Sequence, residues 1–173
     1  MKEILAAVAE QEKGEFDFTE AMFNGFRGAK VFVTYYRLKL DYKGNTITIN
    51  YELGNHNMAK IEMEIKNTEA TPQFLVTNRS QYYRLLYRKA NILRVECDDV
   101  VFKKFIEELF YSTNLELIAR DNLFEPKISC SLTDNGIKTL ITDFNVAFSE
   151  KKGALLALID FYKSIVDYSE NRV

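Results

Sequence analysis

The chain has 173 residues, 47% hydrophobic and 28% charged, with a net charge of −2. That length supports a core that folds without a disulfide or a metal. The small negative charge argues against bulk attraction to nucleic acid or anionic membrane, and no apolar run reaches the length of a bilayer span.

Residues 2–12 predict a short helix with Ile4, Leu5 and Val8 on one stripe. Glu10 and Glu12 interrupt the apolar run, and no signal-peptide cleavage site follows, which points to a cytoplasmic chain. Residues 16–27, with Gly25 and Gly28, predict a turn or short helix. Residues 31–53 and 58–66 predict an antiparallel meander. Gly44-Asn45 suits its first two-residue turn, which pairs Tyr42 with Ile47, Leu40 with Ile49 and Leu38 with Tyr51. These six side chains share a face, while Lys39, Asp41, Thr48 and Asn50 share the other. Ala59, Ile61, Met63 and Ile65 repeat the apolar code.

Pro72 ends this region, and Phe74 to Thr77 predict a further short strand. Residues 80–90 read as helical and Ile92 to Cys97 as a strand. Asp98 and Asp99 begin a helix whose stripe holds Val101, Phe102, Phe105, Ile106, Leu109 and Phe110. Leu115 to Ala119 read as a strand. Lys127 to Leu132 and Ile137 to Phe144 flank the hairpin signal Asp134-Asn135-Gly136. The register there is open, because the adjacent Leu140 and Ile141 cannot both face one side. Ser149 begins a last helix with Leu155, Leu158, Ile159, Tyr162, Ile165 and Val166 inward. The expected architecture is a single α+β domain over 1–173: a meander sheet, a second hairpin region, and N-terminal, central and C-terminal helices. Two sub-sheets, 31–78 and 91–146, are one arrangement of it.

The residue types of common chemistries are sparse. His56 is the sole histidine and sits in a loop sequence, Gly54-Asn55-His56-Asn57. Cys97 and Cys130 have no metal-ligand spacing and read as reduced thiols. No catalytic residue, metal site or cofactor is implied. Asp121, Asn122 and Glu125 are oxygen-rich but lack the EF-hand pattern. Gly25-Phe26-Arg27-Gly28 matches the GxxG of KH domains, yet it leads into a strand where that fold needs a helix.

Leu93-Arg94-Val95-Glu96-Cys97-Asp98-Asp99, leading into Phe102 and an apolar helix, combines with Gly28-Ala29-Lys30-Val31 before a long strand and a closing helix around Leu155 and Leu158. Together these resemble a bacterial family of uncharacterised proteins, a domain of unknown function, over roughly residues 25–168. The resemblance implies a bacterial source and an α+β fold. It brings no catalytic or binding residues. Richness in Asn, Lys, Tyr and Phe also suits a bacterial origin.

Three functional readings follow. The first is a non-enzymatic domain that binds another protein or a second copy of itself. Its mark is the long first meander strand. At about 3.3 Å per residue, Val31 to Tyr42 spans about 40 Å. Phe32, Thr34 and Tyr36 continue its inward side. Val31, Val33 and Tyr35 put an apolar patch on the otherwise polar side, where a partner fits. The second reading is a small apolar ligand, or an enzyme on one, in a cavity between the sheet and the last helix. The third is single-stranded nucleic acid on Arg79, Tyr83, Arg84, Tyr87 and Arg88. The stretch from Arg79 to Arg94 carries a charge of +5 with interleaved tyrosines, against −4 within residues 1–20.

Overall fold

The computed structural model describes residues 1–24, 29–66, 69–79 and 91–171. Eight strands form one antiparallel sheet. They are β1 (Glu15–Asn24), β2 (Lys30–Tyr42), β3 (Asn45–Leu53), β4 (Met58–Ile65), β5 (Phe74–Asn78), β6 (Leu93–Glu96), β7 (Lys127–Leu132) and β8 (Lys138–Asn145). The spatial order is β1-β2-β3-β4-β8-β7-β5-β6. The described helices are α1 (Lys2–Glu12), α2 (Val100–Ser112), α3 (Leu115–Asp121) and α4 (Lys151–Glu170). This is an α+β fold. The strands do not divide into two sub-sheets: β4 pairs with β8, and β5 lies between β7 and β6.

Period-two alternation gives the sheet one apolar face. Leu38 opposes Ile49, Ile49 opposes Ile61, and Ile61 opposes Thr142. The helices close this face. Leu5 and Val8 of α1, Phe102 and Ile106 of α2, and Leu155, Leu158 and Ile165 of α4 are all fully buried in the same core. The inward face of α4 also carries Tyr162. Its hydroxyl donates to the carbonyl of Ile61 at 3.0 Å and lies 3.0 Å from Thr142 Oγ1, so a buried polar group has partners. Leu155, Leu158 and Tyr162 of α4 and Ile61 and Leu140 of the sheet, all fully buried, lie in this sheet–helix space. Asp99 caps α2, its carboxylate accepting from the N–H of Phe102 at 2.8 Å.

Several elements differ from the sequence expectation. The expected turn or short helix at residues 16–27 is the strand β1 through Asn24, and Gly25 to Gly28, with the GxxG match, lie outside the described residues. The first hairpin turns at Lys43-Gly44, not Gly44-Asn45. Both residues have positive φ, 49° and 73°, as a type I′ turn requires. Tyr42 therefore opposes Asn45, and Leu40 opposes Ile47. Lys43 tolerates this conformation while its ammonium pairs with Asp167 at 2.8 Å and Glu170 at 2.9 Å on α4. The two-residue slip left every face assignment intact, because the side-chain period is two.

The segment from Leu115 is helix α3, not a strand. Leu115 and Ala119, four apart, are buried, and Leu117 is exposed, which is helical and not alternating burial. In the second hairpin Leu140, Thr142 and Phe144 face the core, and Ile141 is half-exposed on the other side. The predicted helix at residues 80–90 lies outside the described residues.

Candidate interaction surface

The face opposite the helices is polar. One row of directly opposed residues runs Asp17, Arg37, Asn50, Lys60, Asp143 and Lys127. Its signs largely alternate across the strands, and opposed unlike charges suit a solvated sheet. A hollow of about 540 Å³ opens on this face, lined by Arg37, Asn50 and Lys60 together with Tyr35 and Met58. Lys60 is engaged by Glu62 at 2.6 Å. The hollow is on the opposite side of the sheet from α4.

The hairpin of β1 and β2 extends beyond the rest of the sheet. β3 pairs with β2 only from Thr34 onward, whereas β1 pairs with β2 back to Lys30. The tip is therefore two strands wide. Phe32, expected to face inward, is 69% exposed for that reason, and Met22 and Phe23 are about half exposed. β1 is the edge of the sheet, and all of its residues but Phe16 and Ala21 are exposed. At its base, Phe16, Phe18 and Tyr36 form a ladder of stacked rings, Phe18 to Tyr36 being 6.0 Å between centroids. Lys2 of α1 places its ammonium 3.8 Å from the centre of the Phe18 ring, a cation–π contact.

The sequence-based partner residues divide. Tyr35 is exposed and Val31 half-buried, but Val33 is 2% exposed and closed over within the chain. The bend after β3 brings Gly54 against it: a Cβ on Gly54 would lie 3.3 Å from the Val33 Cα. Sequence reasoning missed Phe18, Met22 and Phe23. The available signal was the recurrence of Phe16, Phe18 and Met22 at even positions after Gly14.

Of the basic set, Arg79 is half-buried and its N–H donates to the Ile92 carbonyl at 2.9 Å; Tyr83, Arg84, Tyr87 and Arg88 lie outside the described residues. His56 is exposed in the β3–β4 loop, with its main-chain N–H 3.4 Å from Glu52 Oε1. Both cysteines are free thiols, and burial pushes the Cys130 thiol up to about 12. The Asn122 side chain accepts from Ser149 Oγ at 2.7 Å, so part of the oxygen-rich loop is used within the fold. Among the described residues no cluster of His, Cys, Asp and Glu has metal-binding geometry. None of their helices is long and apolar enough to cross a membrane. No family model, curated protein or solved structure matches the chain.

Proposed function

We propose that the chain works by binding protein, with the β1–β2 hairpin as its contact surface. One observation carries this reading: a ten-residue edge strand that continues into a two-stranded tip exposing Met22, Phe23 and Phe32. A long edge strand offers a row of main-chain donors and acceptors to another chain. The apolar side chains beside it supply burial on contact. The opposite edge, β6, has only four residues, so the two edges are unequal as templates. Two free cysteines suit a reducing cytoplasm, bacterial by composition. The reading favours binding over catalysis, and the exposed loop position of the sole histidine supports it.

A benzophenone amino acid placed at Phe23, or at Phe32, tests it by photo-cross-linking in the native host. The expected result is a discrete protein adduct from the hairpin positions and none from Leu117, an exposed apolar residue on α3. Equal labelling of all three positions, or no adduct from any, overturns the reading.

A further inference from the structure

We infer that the partner of this edge is a second copy of the chain, with two β1 strands paired antiparallel about a two-fold axis at Thr19. This rests on the binding reading above and adds the identity and register of the partner.

The main-chain groups available at the edge follow from the first turn. A two-residue loop makes Tyr42 and Asn45 a hydrogen-bonded pair, and such pairs alternate along each ladder. Even-numbered residues of β2 therefore bond to β3 and odd-numbered ones to β1. Since Tyr35 opposes Thr19 and Arg37 opposes Asp17, the odd residues of β1 are used internally. Phe16, Phe18, Glu20 and Met22 present their N–H and C=O to the free edge.

Charge then selects the register. β1 carries Glu15, Asp17 and Glu20, so careless self-pairing would be repulsive. An axis at Asp17 or Glu20 sets two carboxylates face to face. An axis at Phe18 brings together the two Lys2 ammonium groups, each held over its own Phe18 ring. An axis at Ala21 leaves Phe16 beyond the ladder. With the axis at Thr19, Glu15 opposes Phe23, Asp17 opposes Ala21, Phe16 opposes Met22, and Phe18 opposes Glu20. No acid faces an acid. Each Lys2, seated over Phe18, comes beside the Glu20 carboxylate of the other copy, and symmetry makes that ion pair twice. Met22, about half exposed in the single chain, meets the Phe16 ring, a favourable sulfur–aromatic contact. An isologous contact of this kind closes on itself and ends at a dimer.

Two measurements test the register. Thr19→Cys, in a chain with Cys97→Ser and Cys130→Ala, places two thiols across the axis in a non-hydrogen-bonded pair. Such Cα atoms lie about 4.5 Å apart, within disulfide range. Mild oxidation should link Thr19→Cys into a covalent dimer and leave Met22→Cys unlinked, because its two copies stand far apart along the strands. Sedimentation of the unmodified chain should show a dimer. Lys2→Glu and Glu20→Lys should each weaken it about tenfold or more, and the double exchange should restore it. A dimer that links Thr19→Cys no faster than Met22→Cys overturns the register and leaves protein binding standing. A chain that stays monomeric at high concentration, while benzophenone at position 23 captures a different protein, overturns self-pairing alone. Absence of any adduct and any dimer overturns both.

Discussion

The Glu116 carboxylate accepts the main-chain N–H of Leu93 at 3.1 Å, and its other oxygen accepts that of Ile92. Glu116 is 2% exposed, so α3 delivers a buried carboxylate to the entry of the sheet's last strand. Arg120, one turn along, lies 3.2 Å from the same group. A buried anion is tolerable when donors surround it, and here main-chain amides supply most of them.

Glu116→Ala should therefore cost about 2–4 kcal/mol, since two buried N–H groups lose their acceptor. Glu116→Gln should cost less, keeping one acceptor oxygen. Urea unfolding gives the stabilities, and amide exchange at Leu93 should accelerate in the alanine variant. A loss within about 0.5 kcal/mol would place the residue among ordinary surface positions.

The second hairpin supplies a sharper contrast within two adjacent residues. Leu140 is fully buried while Ile141 is half-exposed on the polar face. Leu140→Ala should cost about 2–5 kcal/mol, from lost transfer energy and the cavity left behind. Ile141→Thr should cost under about 1 kcal/mol, as threonine keeps the β-branch on a solvated face. Similar losses at both positions would contradict the register in which Leu140 opposes Met63.

How far the sequence spoke depended on burial. β2, β3 and β4 were legible because one face of each is buried, which writes a period of two into Leu38, Leu40, Ile47, Ile49, Ile61 and Met63. The α4 stripe was legible for the same reason at period 3.6. β1 was not, because an edge strand that buries almost nothing leaves little pattern, and Glu20-Ala21 breaks what alternation exists. The segment Leu115–Asp121 misled because Leu115, Leu117 and Ala119 alternate on paper, while in the fold Leu115 and Ala119 lie one helical turn apart on the buried side and Glu116 between them accepts from Ile92 and Leu93. The candidate surface was half legible. Tyr35 lies on the hairpin proposed as the surface and is exposed, but the exposure of Phe32 depends on where β3 stops pairing, a tertiary fact.

Gly54 has a φ of 111° and stands so near β2 that a Cβ would lie 2.1 Å from the Phe32 carbonyl oxygen. Gly136 also has positive φ, 76°, but no atom within 4 Å of such a Cβ. Gly136→Ala should thus cost only backbone strain, about 1 kcal/mol. Gly54→Ala adds a main-chain collision that must move the β3–β4 bend off Val33, and the cost should exceed about 3 kcal/mol. Thermal unfolding of the pair decides it: equal shifts would mean the bend yields freely. A loosened bend should also expose Val33 and raise dye binding at the hairpin.

Alkaline pH should weaken the fold in two stages. Burial raises the Cys130 thiol from an ordinary value near 9 to about 12, and burial also raises Tyr51 and Tyr162 well above the ordinary tyrosine value of 10. Each group is an acid that keeps its proton longer in the folded chain than in the unfolded one. Below the unfolded pKa both states are protonated and stability does not depend on the group. Above it the unfolded chain releases a proton that the folded chain retains, so stability falls as pH rises toward the folded value. Cys130 begins the decline near pH 9, with a slope of at most about 1.4 kcal/mol per pH unit, and the two tyrosines steepen it beyond pH 10. Urea midpoints between pH 7 and 10.5 should be level at first and then bend downward. Cys130→Ala should flatten the first part of the bend and Tyr51→Phe the second, whatever each does to stability at neutral pH. An unchanged curve in Cys130→Ala would show that the thiol reaches water in the folded chain.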